Sequence, residues 1–83
     1  MKKEFNVEYQ YQMYLGLIGL DENKMHPEQR KQLREAFYAA FGMALVLLRD
    51  DVGALPEDTA IKVLDHLLTQ TFDYWHKKGI RNN

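Results

Sequence analysis

Between Pro27 and Asp51 the apolar residues Leu33, Phe37, Phe41, Leu45 and Leu48 recur at spacings of three and four, which in a helix gathers them on one face. Beside them Ala36, Ala40 and Ala44 form a ridge of small side chains that lets a neighbouring helix approach closely. Met43, Val46 and Leu47 point elsewhere, and a helix apolar nearly all round is normally enclosed by packing partners. This stretch is therefore expected to be the central helix. Farther on, Ile61, Leu64, Leu68, Thr71 and Trp75 repeat the three-four spacing, with Lys62, His66, Thr69, Asp73 and Lys77 along the other side. That pattern predicts an amphipathic helix with one buried face.

Two X-Pro-acid sequences, His26-Pro27-Glu28 and Leu55-Pro56-Glu57, mark where these helices open. Proline is favoured at the first helical position, where its missing N–H costs nothing, and acids there complement the helix dipole. Gly53 precedes the second start, and Gly79 comes after Lys77-Lys78 as a helix ending. The predicted helices run from about Pro27 to Asp51 and from about Pro56 to Lys78, with His26 leading into the first.

The N-terminal segment fits two patterns. Phe5, Val7, Tyr9, Tyr11, Met13, Leu15 and Leu17 alternate with polar residues at Asn6, Glu8, Gln10 and Gln12, which is the strand period. Val7, Tyr11, Tyr14, Leu15 and Ile18 also fit a helical face, and Asn6 is a good N-cap. No other segment reads as a strand, and a lone strand leaves its backbone groups unpaired unless two chains pair through it. A helix from Asn6 to Leu17 is the expectation, followed by a connection at Gly16 to Asn23 rich in breakers. The fold class is thus all-α: a small three-helix domain with a long central helix, the third helix packed antiparallel against it.

Eighty-three residues bound this to one domain, residues 1–83, with 1–5 and 79–83 expected to fray. A chain this small has a thin core, and with no cysteine it cannot brace that core with a disulfide. Helix packing and oligomerisation remain. Eleven basic against twelve acidic residues give a formal net charge of -1, which disfavours nucleic-acid binding. Lys2-Lys3 has no apolar stretch behind it, as a signal peptide would, and the uncharged run Ala36 to Leu48 is shorter than the roughly 20 residues of a membrane span. A cytoplasmic protein with no membrane partner is expected.

The runs Met25-His26-Pro27-Glu28-Gln29-Arg30, Ala36-Phe37-Tyr38, Leu47-Leu48-Arg49-Asp50-Asp51 and Leu55-Pro56-Glu57-Asp58 resemble short helical proteins of unassigned function from bacterial prophages and other mobile elements. The resemblance spans Tyr11 to Trp75. It implies a bacterial, phage-related setting and no catalytic residue.

Candidate chemistry is sparse. His66, Asp73 and His76 share the last helix, but His66 is turned about 80° from His76, so a solvated polar face accounts for them better than a metal site. Asp50 and Asp51 diverge by about 100° and sit beside Arg49, which reads as local charge pairing in a turn rather than an acid–base pair. Serine and cysteine are absent, which removes the usual nucleophiles. Asp21-Glu22-Asn23-Lys24 lacks the ligand spacing of a calcium loop, and Gly16 and Gly19 do not complete a phosphate loop. No catalytic residue, metal or cofactor is expected.

The features left are an apolar excess on the central helix and a density of tyrosines near the N-terminus. The expectation is a non-enzymatic interaction or structural module that forms a homodimer, with Tyr11, Tyr14, Ala40, Met43, Ala44 and Val46 at the contact. The competing reading is a small regulator touching nucleic acid through Lys77, Lys78 and Arg81 beside Tyr74 and Trp75.

Overall fold

The computed structural model describes residues 1–78. Its elements are α1 (Val7–Ile18), α2 (Pro27–Val46) and α3 (Glu57–Lys77), with 3-10 turns at Lys3–Phe5, Glu22–Lys24 and Val52–Ala54 and a π-helical turn at Leu47–Asp51. No strand occurs among the described residues, so the fold is all-α with a long middle helix. The chain gathers into two compact units, Met1–Met43 and a second that begins at Ala44. The expected helix ending at Gly79, the frayed end at 79–83 and Arg81 lie outside the described residues.

In the first unit α1 opens as its sequence dictates. The Asn6 side chain accepts a hydrogen bond from the Tyr9 N–H at 3.1 Å, satisfying one of the free donors of the first turn. The helix closes at Gly19, whose φ of 71° lies in the left-handed region, and the Leu20 N–H returns to the Leu15 carbonyl at 3.0 Å. The alternating pattern of odd positions is therefore incidental, and the helical face wins. Tyr11, Leu15 and Met25 are buried, with Tyr14, Ile18, Leu33 and Phe37 packed against them. Aromatic rings bind the two helices, Phe37 standing 5.2 Å from Tyr11 and 5.4 Å from Tyr14 between ring centroids.

Pro27 is the first residue of α2, and His26 caps it. The Glu28 N–H donates to His26 Nδ1 at 3.2 Å, and the Arg30 N–H to the His26 carbonyl at 3.0 Å. Pro56 behaves differently. With φ of -55° and ψ of 148° it is the capping residue of α3, one step outside the helix, and Glu57 is the first helical residue. A proline cap offers no side-chain acceptor, so Glu57 and Asp58 support the first turn through their charge alone.

The helical run from Pro27 reaches Asp51 as expected, but its last turn is wound wider. The Val52 N–H is directed at the Leu47 and Leu48 carbonyls, and an extra residue in the turn re-phases the next positions by about 100°. Val52, which comes directly after it, is the one buried apolar residue among the described residues of the second unit.

Two packing expectations are corrected. No residue of α2 is buried, although its composition predicted enclosure. Nor is any residue of α3: Ala60, Val63, Leu67 and Trp75 are half-buried, while Ile61, Leu64, Leu68 and Phe72 are exposed. Among the described residues, the part of the second unit that precedes α3 is the short segment from Ala44 to Pro56, and one helix end cannot cover two adjacent faces of a long helix.

Candidate functional site

Two features stand out, one in each unit. In the first, α1 places Glu8, Tyr11 and Gln12 on one face by three-four spacing, and α2 brings Arg34 and Tyr38 opposite. The Arg34 guanidinium is shared between two carboxylates: it pairs with Glu8 through both Nη atoms, and its Nη2 donates to Glu22 Oε1 at 3.0 Å and Oε2 at 3.1 Å. Tyr38 Oη donates to Glu8 at 2.6 Å, and Gln12 bridges Glu8 and Glu22 with its amide N–H at 2.9 and 3.2 Å. Beneath, the Tyr11 ring lies 4.8 Å from the guanidinium carbon.

The electrostatics are set by these partners. Hydrogen bonds from Arg34, then Tyr38 and Gln12, hold the Glu8 carboxyl down at about 2. For Glu22, partial burial pushes upward, but the bonds from Arg34 and Gln12 outweigh it and the net direction is down. Arg34 is raised by the Glu8 and Glu22 bonds, Tyr38 by its bond to Glu8, and Tyr11 by burial and then by the Glu22 charge. Every shift moves a group farther from neutrality. The cluster is a clamp between α1, the Glu22 turn and α2, with none of these five groups poised to exchange a proton near pH 7.

The second unit carries an apolar groove of about 300 Å³, with Ala44, Leu47 and Leu48 on one wall and Leu64, Leu67 and Leu68 on the other. Gln70 and Thr71 also line it, the Thr71 hydroxyl donating back to the Leu68 carbonyl at 2.8 Å. Two of these lining residues belong to an exposed stripe of α3: Ile61 is 52%, Leu64 39%, Leu68 43% and Phe72 45% exposed. These four fall within an arc of about 80° at 100° per residue, so they form one continuous surface.

The residues expected at a self-contact are divided between the two units. Tyr11 is fully buried and offers no surface to a partner; three-four spacing with Leu15 turns it into the core of the first unit. Tyr14 is half-buried against Phe37. Ala40 is exposed, as is Met43 at 75%. In the second unit Ala44 lines the groove and Val46 is half exposed at 49%. Ile61, Leu64 and Leu68 of the α3 stripe are legible in the sequence as an apolar pattern, which continues through Thr71 and Trp75 rather than Phe72 and points to a core position rather than an open one. The Arg34 clamp has no sequence signal, because its partners are scattered along the chain and no local spacing joins them.

Other candidates are surface features. His66, Asp73 and His76 are exposed on α3, and among the described residues no group of three His, Cys, Asp or Glu side chains converges as metal ligands would. Asp50 pairs with Arg49 at 2.7 Å, the local pairing its position implied. Lys78 Nζ stands 5.6 Å from the Tyr74 ring centre. None of the described helices is long and apolar enough to cross a membrane. No family model, curated protein or solved structure matches the chain.

Proposed function

We propose that this chain is a non-enzymatic, self-associating interaction module whose second unit is completed by another copy of itself. The observation that carries the reading is the exposed stripe Ile61, Leu64, Leu68 and Phe72 beside an open apolar groove. Single exposed apolar residues need no explanation, but a continuous apolar surface marks a contact. The resemblance of its Pro-acid runs to short prophage proteins supports a phage-related setting for the module.

The area is adequate for a dimer. At roughly 200 Å² for a large apolar side chain, the exposed parts of the stripe and of Leu47 leave on the order of 400 Å² per copy. Homodimer interfaces are about 65% apolar, so this corresponds to on the order of 650 Å² per partner, approaching the ~800 Å² of a stable complex. Sedimentation equilibrium at tens of micromolar is expected to give a dimer, and Leu68→Asp a folded monomer, since Leu68 is 43% exposed. A monomeric unmodified protein at that concentration would overturn the reading. Retention on heparin at low salt, lost on Lys78→Glu, would favour the nucleic-acid alternative.

A further inference from the structure

We infer that the second copy docks with its α3 antiparallel to the first, centred near Leu67, so that Lys62 of each chain faces Asp73 of the other. The inference rests on the self-association reading above and adds its geometry. The residues that border the apolar stripe decide it. At 100° per residue, Asp58, Lys62, Asp65, Thr69, Asp73 and His76 occupy one flank of it within an arc of about 80°, and all six are exposed. The other flank carries Leu67 and Thr71 and turns into the groove of its own unit.

Two helices that pair through a common stripe bring unlike flanks together when parallel and like flanks together when antiparallel. A parallel pair would set the charged flank of one α3 against Leu67 and Thr71 of the other, stripping water from charges with nothing to pair them. An antiparallel pair sets the charged flank against itself. Centred near Leu67, it places Lys62 opposite Asp73, Asp58 opposite His76, and Asp65 opposite uncharged Thr69, with no like charges facing. The apolar positions fall within about one helical turn of that register, Ile61 near Phe72 and Leu64 near Leu68. Antiparallel helix dipoles add to the preference.

Charge exchange tests this. Within one helix Lys62 and Asp73 are three turns apart, about 16 Å, so they cannot pair in the same chain. Lys62→Glu and Asp73→Lys are each expected to raise the dimer dissociation constant about tenfold, because two exposed pairs per dimer turn from attraction to repulsion. The double variant, carrying both substitutions, is expected to return to within about twofold of the unmodified protein, since the pair is restored in reversed polarity. Circular dichroism on all three checks that the helices persist. A dimer that either single variant leaves unchanged, or that the double variant fails to restore, would overturn the antiparallel register while leaving self-association intact. An unmodified protein that is monomeric would remove both.

Discussion

At the scale of single residues, Tyr11 carries a cost that the fold tolerates. Its ring is fully buried and helps join α1 to α2, but its hydroxyl makes no hydrogen bond of good geometry, although the Glu22 carboxylate lies close enough to act on it. A buried hydroxyl left unpaired costs about 1–3 kcal/mol, so Tyr11→Phe is expected to raise stability by about 1 kcal/mol in urea unfolding. A loss of that size instead would mean the hydroxyl is bonded in solution. The neighbouring clamp sets the acid response. Glu8 is held at about 2 against an ordinary 4.5 by Arg34 first and then Tyr38 and Gln12. A carboxyl depressed by folding contributes stability that is fully present above its unfolded value and is lost as pH falls through its folded value. The window is therefore 4.5 down to about 2, and Glu22, also lowered, acts in the same direction. Thermal unfolding of the unmodified protein should fall across that window, and Glu8→Gln should flatten the fall. Equal slopes for the two proteins would deny the clamp its role.

At the scale of elements, two glycines three residues apart should respond with opposite signs. Gly19 holds the left-handed cap of α1 at φ 71°, where a Cβ is strained, and Gly19→Ala is expected to lower stability by about 1–2 kcal/mol. Gly16 lies inside α1 with open space where a Cβ would stand, so Gly16→Ala should add about 0.5–1 kcal/mol through helix propensity. Denaturant midpoints of the two variants that move the same way would mean α1 ends elsewhere. Caps of this kind are local, which is why the helix boundaries are readable from residue order: Asn6, the Pro27 start and the Asp51 end all appear where the spacing places them. Pro56 falls one position short because both the capping and the first helical site accept a fixed φ. The π-wound turn at Leu47–Asp51 leaves no trace in the sequence, since the leucines and acids there suit an ordinary α-turn equally well. Spacing also marks the apolar stripe of α3 without saying what would cover it. Periodicity reports that a face is apolar, and whether the cover comes from the same chain is a matter of which elements reach it.

At the scale of the whole molecule, the chain divides its stability unevenly. The first unit buries Tyr11, Leu15 and Met25 and is tied further by the Arg34 clamp, whereas the second buries Val52 and leaves the α3 stripe exposed. Conformational entropy opposes ordering each residue by about 1–2 kcal/mol, so a unit with little burial of its own draws its stability from whatever binds it. If that is a second copy, mass action couples the order of α3 to protein concentration, adding about 1.4 kcal/mol for each tenfold rise beyond the dissociation constant. Amide exchange separates the two units directly. Protection across Ile61 to Phe72 is expected to increase with concentration, while protection across Tyr11 to Leu15 stays unchanged, because the first unit is closed by contacts within itself. Leu68→Asp should abolish the concentration dependence and leave the first unit as protected as before. Protection in α3 that is high and indifferent to dilution would mean the helix is stabilised within its own chain, and the exposed stripe would then lose its claim to be an interface.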